Sequence, residues 1–333
     1  MAPVDGPAYQ AMRAVAETAL CEWAIDAAAV ELISVSENVV FKVSMPDGEA
    51  LVLRIHRPGY HTLEELMSEQ HWTAALLEAG VSVPVPRFTP DGRGYVSVPV
   101  PETSEQRHVG LVEWVDGETV HSILENDPDT AALVFRFEQL GQMAARIHNA
   151  AVAWPVPDNF QRHAFDANGL MGNAPFWGPF WVLLQLSTAQ RDVILKARAA
   201  IYRILSDYGK DHGTYSLIHA DLHPRNVLIN GDQLHVIDFD DAGYGWHQYE
   251  LAVALFAYQD HPHIDTIHDA LIRGYRSARA FDDDAVALIP IFILIRALVL
   301  LGWIHERPEL DHSGFLPDLI DFACTRAGEL GLV

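Results

Sequence analysis

The sequence predicts an α+β chain of two lobes, a small β-rich N-lobe over residues 1–116 and a larger, mainly helical C-lobe over residues 117–333. Three observations carry this. Short β-like runs crowd the first third, apolar residues later recur at helical spacing, and Trp114-Val115-Asp116-Gly117 ends the strand pattern just before the helices begin. A hinge at Gly117 would leave a cleft.

The N-lobe opens with an expected helix from Pro7 to Trp23, then β runs at Leu32–Val35, Val39–Ser44 and Leu51–Ile55, the last two joined through the turn pair Asp47-Gly48. Pro58-Gly59 precedes a helical stretch from Leu63 to Glu78. Val83-Pro84-Val85-Pro86 then forces extended chain, and β runs follow at Tyr95–Val100 and Val109–Val115. The C-lobe begins with a helix over Ala131–Asn149 whose stripe of Leu133, Phe137, Leu140, Ala144 and Ile147 is a core face. Further on, Val227–Ile229 and Leu234–Ile237 flank the turn that starts at Asn230-Gly231. A lone hairpin amid helices usually positions something.

Composition narrows the function. With 333 residues, 50% of them hydrophobic, the chain buries a sizeable core. Cys21 and Cys324 lie far apart in no metal-ligand spacing, which fits a reducing cytoplasm and argues against a disulfide framework. The N-terminus carries Asp5 and Glu17 and lacks the pattern of a signal peptide. Ala287–Ile304 is strongly apolar, but Pro290 and Arg296 interrupt it, so it reads as a core helix and no membrane partner is expected. The net charge of −23 disfavours nucleic acid and anionic membranes. Asp211–Val333 holds seven Arg, no Lys and 19 acidic residues, and is the expected place for a cationic substrate.

Polar residues crowd both ends of the hairpin: His219-Ala220-Asp221-Leu222-His223-Pro224-Arg225-Asn226 before it, and Ile237-Asp238-Phe239-Asp240-Asp241 after it. Phosphoryl transfer from a nucleotide needs a carboxylate facing the attacking hydroxyl and oxygen ligands for Mg²⁺. Asp221, Asn226 and Asp238 supply such groups. A lone Asp-Phe-Asp or His-x-Asp would be a chance match, whereas the combined order and spacing are specific.

His219-x-Asp221-x-x-x-x-Asn226 followed by Ile237-Asp238-Phe239-Asp240 resembles the aminoglycoside phosphotransferase and choline kinase family, whose fold is similar to that of protein kinases. The likeness runs from about Leu32 to Leu255. The residues from His219 to His223 and from Asp240 to Trp246 are nearest to bacterial homoserine kinase-like and stress-response kinase-like members. The resemblance implies transfer of the γ-phosphoryl group of ATP to a hydroxyl of a small molecule, with an aminoglycoside-, choline- or homoserine-like acceptor. It implies Asp221 as catalytic base, Asn226 and Asp238 as Mg²⁺ ligands, and His219 as a support of the catalytic loop. It places Ser36 and Asn38 at the phosphates, where Ser34-Val35-Ser36-Glu37-Asn38 replaces a glycine-rich run, and adenine near Glu113 and Val115.

The phosphate cation is expected at Arg54, paired with Glu69, with Lys42 as the fallback among only three lysines. Glu250 and Asp241 are expected on the acceptor side or on the surface. The histidines at 261, 263 and 268 are expected in solvent, and Trp177, Trp181 and Trp303 in the core, while Tyr244 and Trp246 follow the metal loop closely enough to face an acceptor. Competing readings are a stress-response serine/threonine protein kinase, a nucleotide-binding pseudokinase, GTP in place of ATP, and a dinuclear metallohydrolase using the same His and Asp residues.

Overall fold

The structure is a computed structural model that describes residues 6–36, 38–126 and 129–333. It resolves into two compact units.

The first unit runs to Glu118 and takes in two later pieces, Val156–Gln161 and Leu228–Asp240. Its sheet has five strands, β1 (Ala29–Val35), β2 (Val39–Ser44), β3 (Ala50–Ile55), β4 (Tyr95–Pro99) and β5 (Gln106–Glu113), in the antiparallel order β1-β2-β3-β5-β4. Strand alternation sorts the faces. On β3, Leu51, Leu53 and Ile55 point into a core with Phe41, Val43, Val96, Val109 and Leu111, covered by Val15, Ala16, Ala19 and Leu20 of helix α1 (Pro7–Glu22). Arg54 therefore points to the opposite face, opposite Val40 on β2 and Gly110 on β5. Helix α2 (Leu63–Glu78) carries Glu69 and begins in a capping box, with Thr62 and Glu65 satisfying each other's backbone N–H. The bounds expected from sequence hold to within a few residues, except that Val115 falls beyond the end of β5.

The hairpin of Val227–Asn230 and Gln233–Val236 forms as its turn chemistry predicts, but it groups with the first unit, not with the helices around it in sequence. The reason is local: Val236 N–H donates to Ser82 O at 2.9 Å, and Ser82 Oγ lies 2.7 Å from His235 Nδ1.

The second unit is mainly helical, with the longest helix at Thr130–Ala153 packed against Ile264–Ala278. The two backbones meet at glycines. A Cβ at Gly141 would stand 2.0 Å from Leu271 O, and one at Gly274 would stand 1.9 Å from Glu138 O. Gly141→Ala is therefore expected to cost about 1–3 kcal/mol by forcing the helices apart, read as a lower urea midpoint.

The segment Asp283–His305 is the one stretch among the described residues long and apolar enough to cross a membrane, and 67% of its most apolar 18-residue window is buried inside the protein. Pro290 sits in the first turn of the helix Ile289–His305, where its missing N–H costs nothing, so it starts this helix instead of breaking it. That helix packs on His247–Phe256 as a core element and carries Arg296.

Candidate active site

In the first unit the charges converge on Arg54. Its Nη2 is 3.0 Å from Asp238 Oδ1, and its Nη1 lies 4.0 Å from Glu69 Oε1 and 3.9 Å from Asp240 Oδ1. Burial works to lower the Arg54 guanidinium, but Asp238, Asp240 and Glu69 outweigh it and hold the charge firmly in place. Lys42, the fallback, is occupied elsewhere, with Nζ 4.2 Å from the centroid of the Trp114 ring. Arg54 is the cation that α2 and the Asp238 loop present together.

Asp240 is buried behind this group. Its Oδ2 accepts from Asn38 Nδ2 at 3.1 Å, and His56 Nδ1 is 3.4 Å from Oδ1. Burial pushes its carboxyl up, but His56 and then Arg54 overcome this and keep it ionised. Asn38 Oδ1 in turn accepts the Arg57 N–H at 3.0 Å, so the Asn38 side chain is spent on fixing the start of β2. Ser36 is exposed and closes the turn by donating its N–H to Asn38 O at 3.1 Å, while Glu37 lies outside the described residues. Glu113 ends β5 with its N–H on Val85 O at 2.8 Å. Asp238 has a left-handed backbone, φ 68°, a conformation that fixes where its half-exposed carboxylate points.

In the second unit the loop His219–Asn226 surrounds Asp221. Arg296 Nη2 is 2.5 Å from Asp221 Oδ1, His223 Nε2 is 3.3 Å from Oδ2, and Asn226 Nδ2 donates to Oδ2 at 3.1 Å and to Asp221 O at 3.0 Å. Burial acts to raise the Asp221 carboxyl, yet the Arg296 charge and then His223 hold it well below the usual carboxylate range. Arg296 was not among the residues the motif points to. Its one signal in the sequence is a lone Arg inside the most apolar helix, where a charge largely shielded from water demands a partner.

The loop is supported from below. Ala220 is left-handed, φ 66°, which an alanine adopts at a cost, and both oxygens of Glu250 clamp the strained peptide by accepting the His219 and Ala220 N–H groups at 2.8 Å each. His219 is fully buried, and its Nδ1 accepts the Asp221 N–H at 3.2 Å. Glu250, expected near the acceptor or on the surface, is instead wholly buried, because the loop's unpaired N–H groups need an acceptor there. Trp246 is likewise core: its Nε1 donates to Gly209 O at 2.8 Å and its ring meets Tyr215 and Phe292.

Beneath Glu250 two buried histidines stack, His148 on His247, with ring centroids 4.0 Å apart. His148 Nδ1 lies 2.8 Å from Tyr275 Oη, and His247 Nε2 lies 2.9 Å from Ser216 Oγ. Burial, then Arg279, pushes His148 well below its ordinary value, and burial, then His148, does the same to His247. Both are neutral in the fold and protonate once unfolded. Their contribution to stability is therefore full above about pH 6.5 and is lost below it, at about 1.4 kcal/mol per pH unit for each histidine. Urea titrations on either side of that value check this, since the slope should flatten in a His148→Gln/His247→Gln variant.

Residues 29–288 match the phosphotransferase enzyme family, APH. The chain belongs to this family. It is an ATP-dependent kinase of the α+β, protein-kinase-like fold. The amicoumacin kinase of Bacillus subtilis is 21% identical over 295 residues, 86% of this chain and 82% of that one. The homoserine kinase of Brucella canis is 29% identical over 160 residues, 46% of each chain. The solved structure of the microcompartment-associated aminopropanol kinase is 28% identical with a TM-score of 0.78, covering 95% of this chain and 94% of that one.

The phosphotransferase also has a cavity of about 440 Å³ beside its Asp221 loop, lined in part by His223, Arg225, Tyr258 and Arg296. His261, half-buried, lines it too. Its Nδ1 accepts the His263 N–H at 3.1 Å, a turn that brings the ring back toward the helix His247–Phe256.

Proposed function

We propose that this phosphotransferase moves the γ-phosphoryl group of ATP to a hydroxyl of a small molecule, with Asp221 as the catalytic residue that receives the hydroxyl proton. The observation that carries this is the fixation of one Asp221 carboxylate by Arg296, His223 and Asn226. A carboxylate held that far below its usual range orients the hydroxyl first and takes its proton late. The acceptor O–Pγ bond forms while the bond from Pγ to the β,γ-bridging oxygen breaks, ADP leaves, and the proton passes through Asp221 to solvent.

Arg54, oriented by Glu69, is proposed to bind the α- and β-phosphates. Ser36 and Asn38 are proposed at the phosphates, with Asn38 acting through the start of β2 that it fixes, and Glu113 and Val115 serve the adenine. Two residues suit Mg²⁺, a cation that prefers oxygen donors. Asp238 in the first unit offers a half-exposed carboxylate. Asn226 in the second commits its amide N–H groups to Asp221, which leaves Oδ1 as its oxygen donor. When bound, Mg²⁺ neutralises phosphate charge. The lobe boundary is proposed near Gly117, and the compartment is the cytoplasm, where the free Cys21 and Cys324 stay reduced. A net charge of −23 fits neither nucleic acid nor anionic membranes as partners.

The test is ADP release from MgATP with a panel of amino alcohols, aminoglycosides, hydroxy amino acids, sugars and a generic protein. Release that requires a small-molecule acceptor and stops with EDTA supports the reading. Release only with the protein, or nucleotide binding without release, contradicts it.

A further inference from the structure

The cavity beside the Asp221 loop falls in the size range of small-molecule sites, and it lies one side chain away from the base. His223 and Arg296, which line it, are the same residues that touch the two Asp221 oxygens at 3.3 and 2.5 Å. A hydroxyl at Asp221 would leave the rest of its molecule here.

The lining carries two arginines, Arg225 and Arg296, against one carboxylate, Glu125, whereas the region around it is acidic. Arg296 is neutralised by Asp221, and Glu125 Oε1 is held 3.0 Å from His121 Nε2. Arg225 is exposed, lines the cavity, and has no ion pair among the described residues. It lies close enough to Tyr258 for its charge to oppose the upward push of burial on that hydroxyl. With Nδ1 of His261 accepting a backbone N–H, the neutral ring carries its proton on Nε2, a donor. Beside the Glu125 carboxylate held by His121, the local groups available to a ligand are thus a guanidinium and N–H and O–H donors, although Asp211–Val333 as a whole is acidic.

We propose that the acceptor of this kinase carries an anionic group, a carboxylate or a phosphate, which Arg225 binds in the cavity lined by Tyr258, His261 and Arg296 while the acceptor hydroxyl faces Asp221. This rests on the phosphotransferase reading above and names its substrate class. The transfer step is unchanged: the acceptor O–Pγ bond replaces the ADP O–Pγ bond, and one proton leaves through Asp221. A guanidinium pairs with either anion in a bidentate fork.

Matched acceptors test it on the full chain with MgATP: homoserine against aminopropanol and glycerate against glycerol for the carboxylate, and glycerol phosphate against glycerol for the phosphate. The expected result is that kcat/KM for the anionic member of at least one pair exceeds that of its partner by about tenfold or more. Arg225→Ala should lower that value about ten- to a hundredfold, mainly through the acceptor KM, with the partner's value moving less than about threefold. Arg225→Lys, which keeps the charge, should recover part of the loss. Preference for the member without the anion, or an equal loss on both members in Arg225→Ala, overturns the inference and leaves the phosphotransferase reading intact. Silence in every arm with MgATP still bound overturns that reading and the inference with it.

Discussion

Asp221→Asn is expected to cut acceptor-dependent turnover by about two to four orders of magnitude, the range for loss of a positioned general base. MgATP binding should be retained. The amide matches the carboxylate in size but brings no charge, so Arg296, half-buried in an apolar helix, loses its anion as well. Steady-state ADP release beside calorimetric ATP binding separates the two effects. A loss smaller than about tenfold would remove Asp221 from the chemistry.

Arg54→Ala is the second large effect, because one guanidinium holds three carboxylates. Removing it leaves Glu69, Asp238 and Asp240 repelling one another and takes the proposed cation off the phosphates. The expected result is a fall of about 10²- to 10³-fold in kcat/KM for ATP, together with about 3–5 kcal/mol of lost stability from uncompensated buried charge. Arg54→Lys should restore part of the stability and less of the rate, since an ammonium cannot reach several carboxylates as a planar fork does. Initial rates over an ATP series and urea midpoints for both variants check this.

Much of this was legible in the sequence, because the legible parts are local. Strand alternation alone turns Arg54 away from Leu53 and Ile55, a Thr-x-x-Glu box starts α2, and Asn230-Gly231 begins the hairpin turn. The motif residues from His219 to Asn226 lie within a few positions of one another, so their spacing survives as a pattern. What stayed hidden depends on contacts across many residues. Arg296 reaches Asp221 from 75 positions away, and Glu250 meets the Ala220 N–H from 30. Apart from the lone Arg296 in an apolar helix, nothing in either segment marks a partner, and periodicity reports only that a face is buried. The net charge of the region is likewise silent on the cavity, for a related reason. Net charge describes the far field of a region, whereas the lining of one cavity is set by which few side chains the loop at Pro224 and the turn at Tyr258 bring together.

The most direct test of the central claim follows the phosphoryl group itself. With ATP labelled at the γ-phosphate, Mg²⁺ and an accepted small molecule, the label should appear on the acceptor hydroxyl in step with ADP, and this transfer should vanish in Asp221→Asn. Label found only in inorganic phosphate, or transfer that persists undiminished in Asp221→Asn, would contradict it.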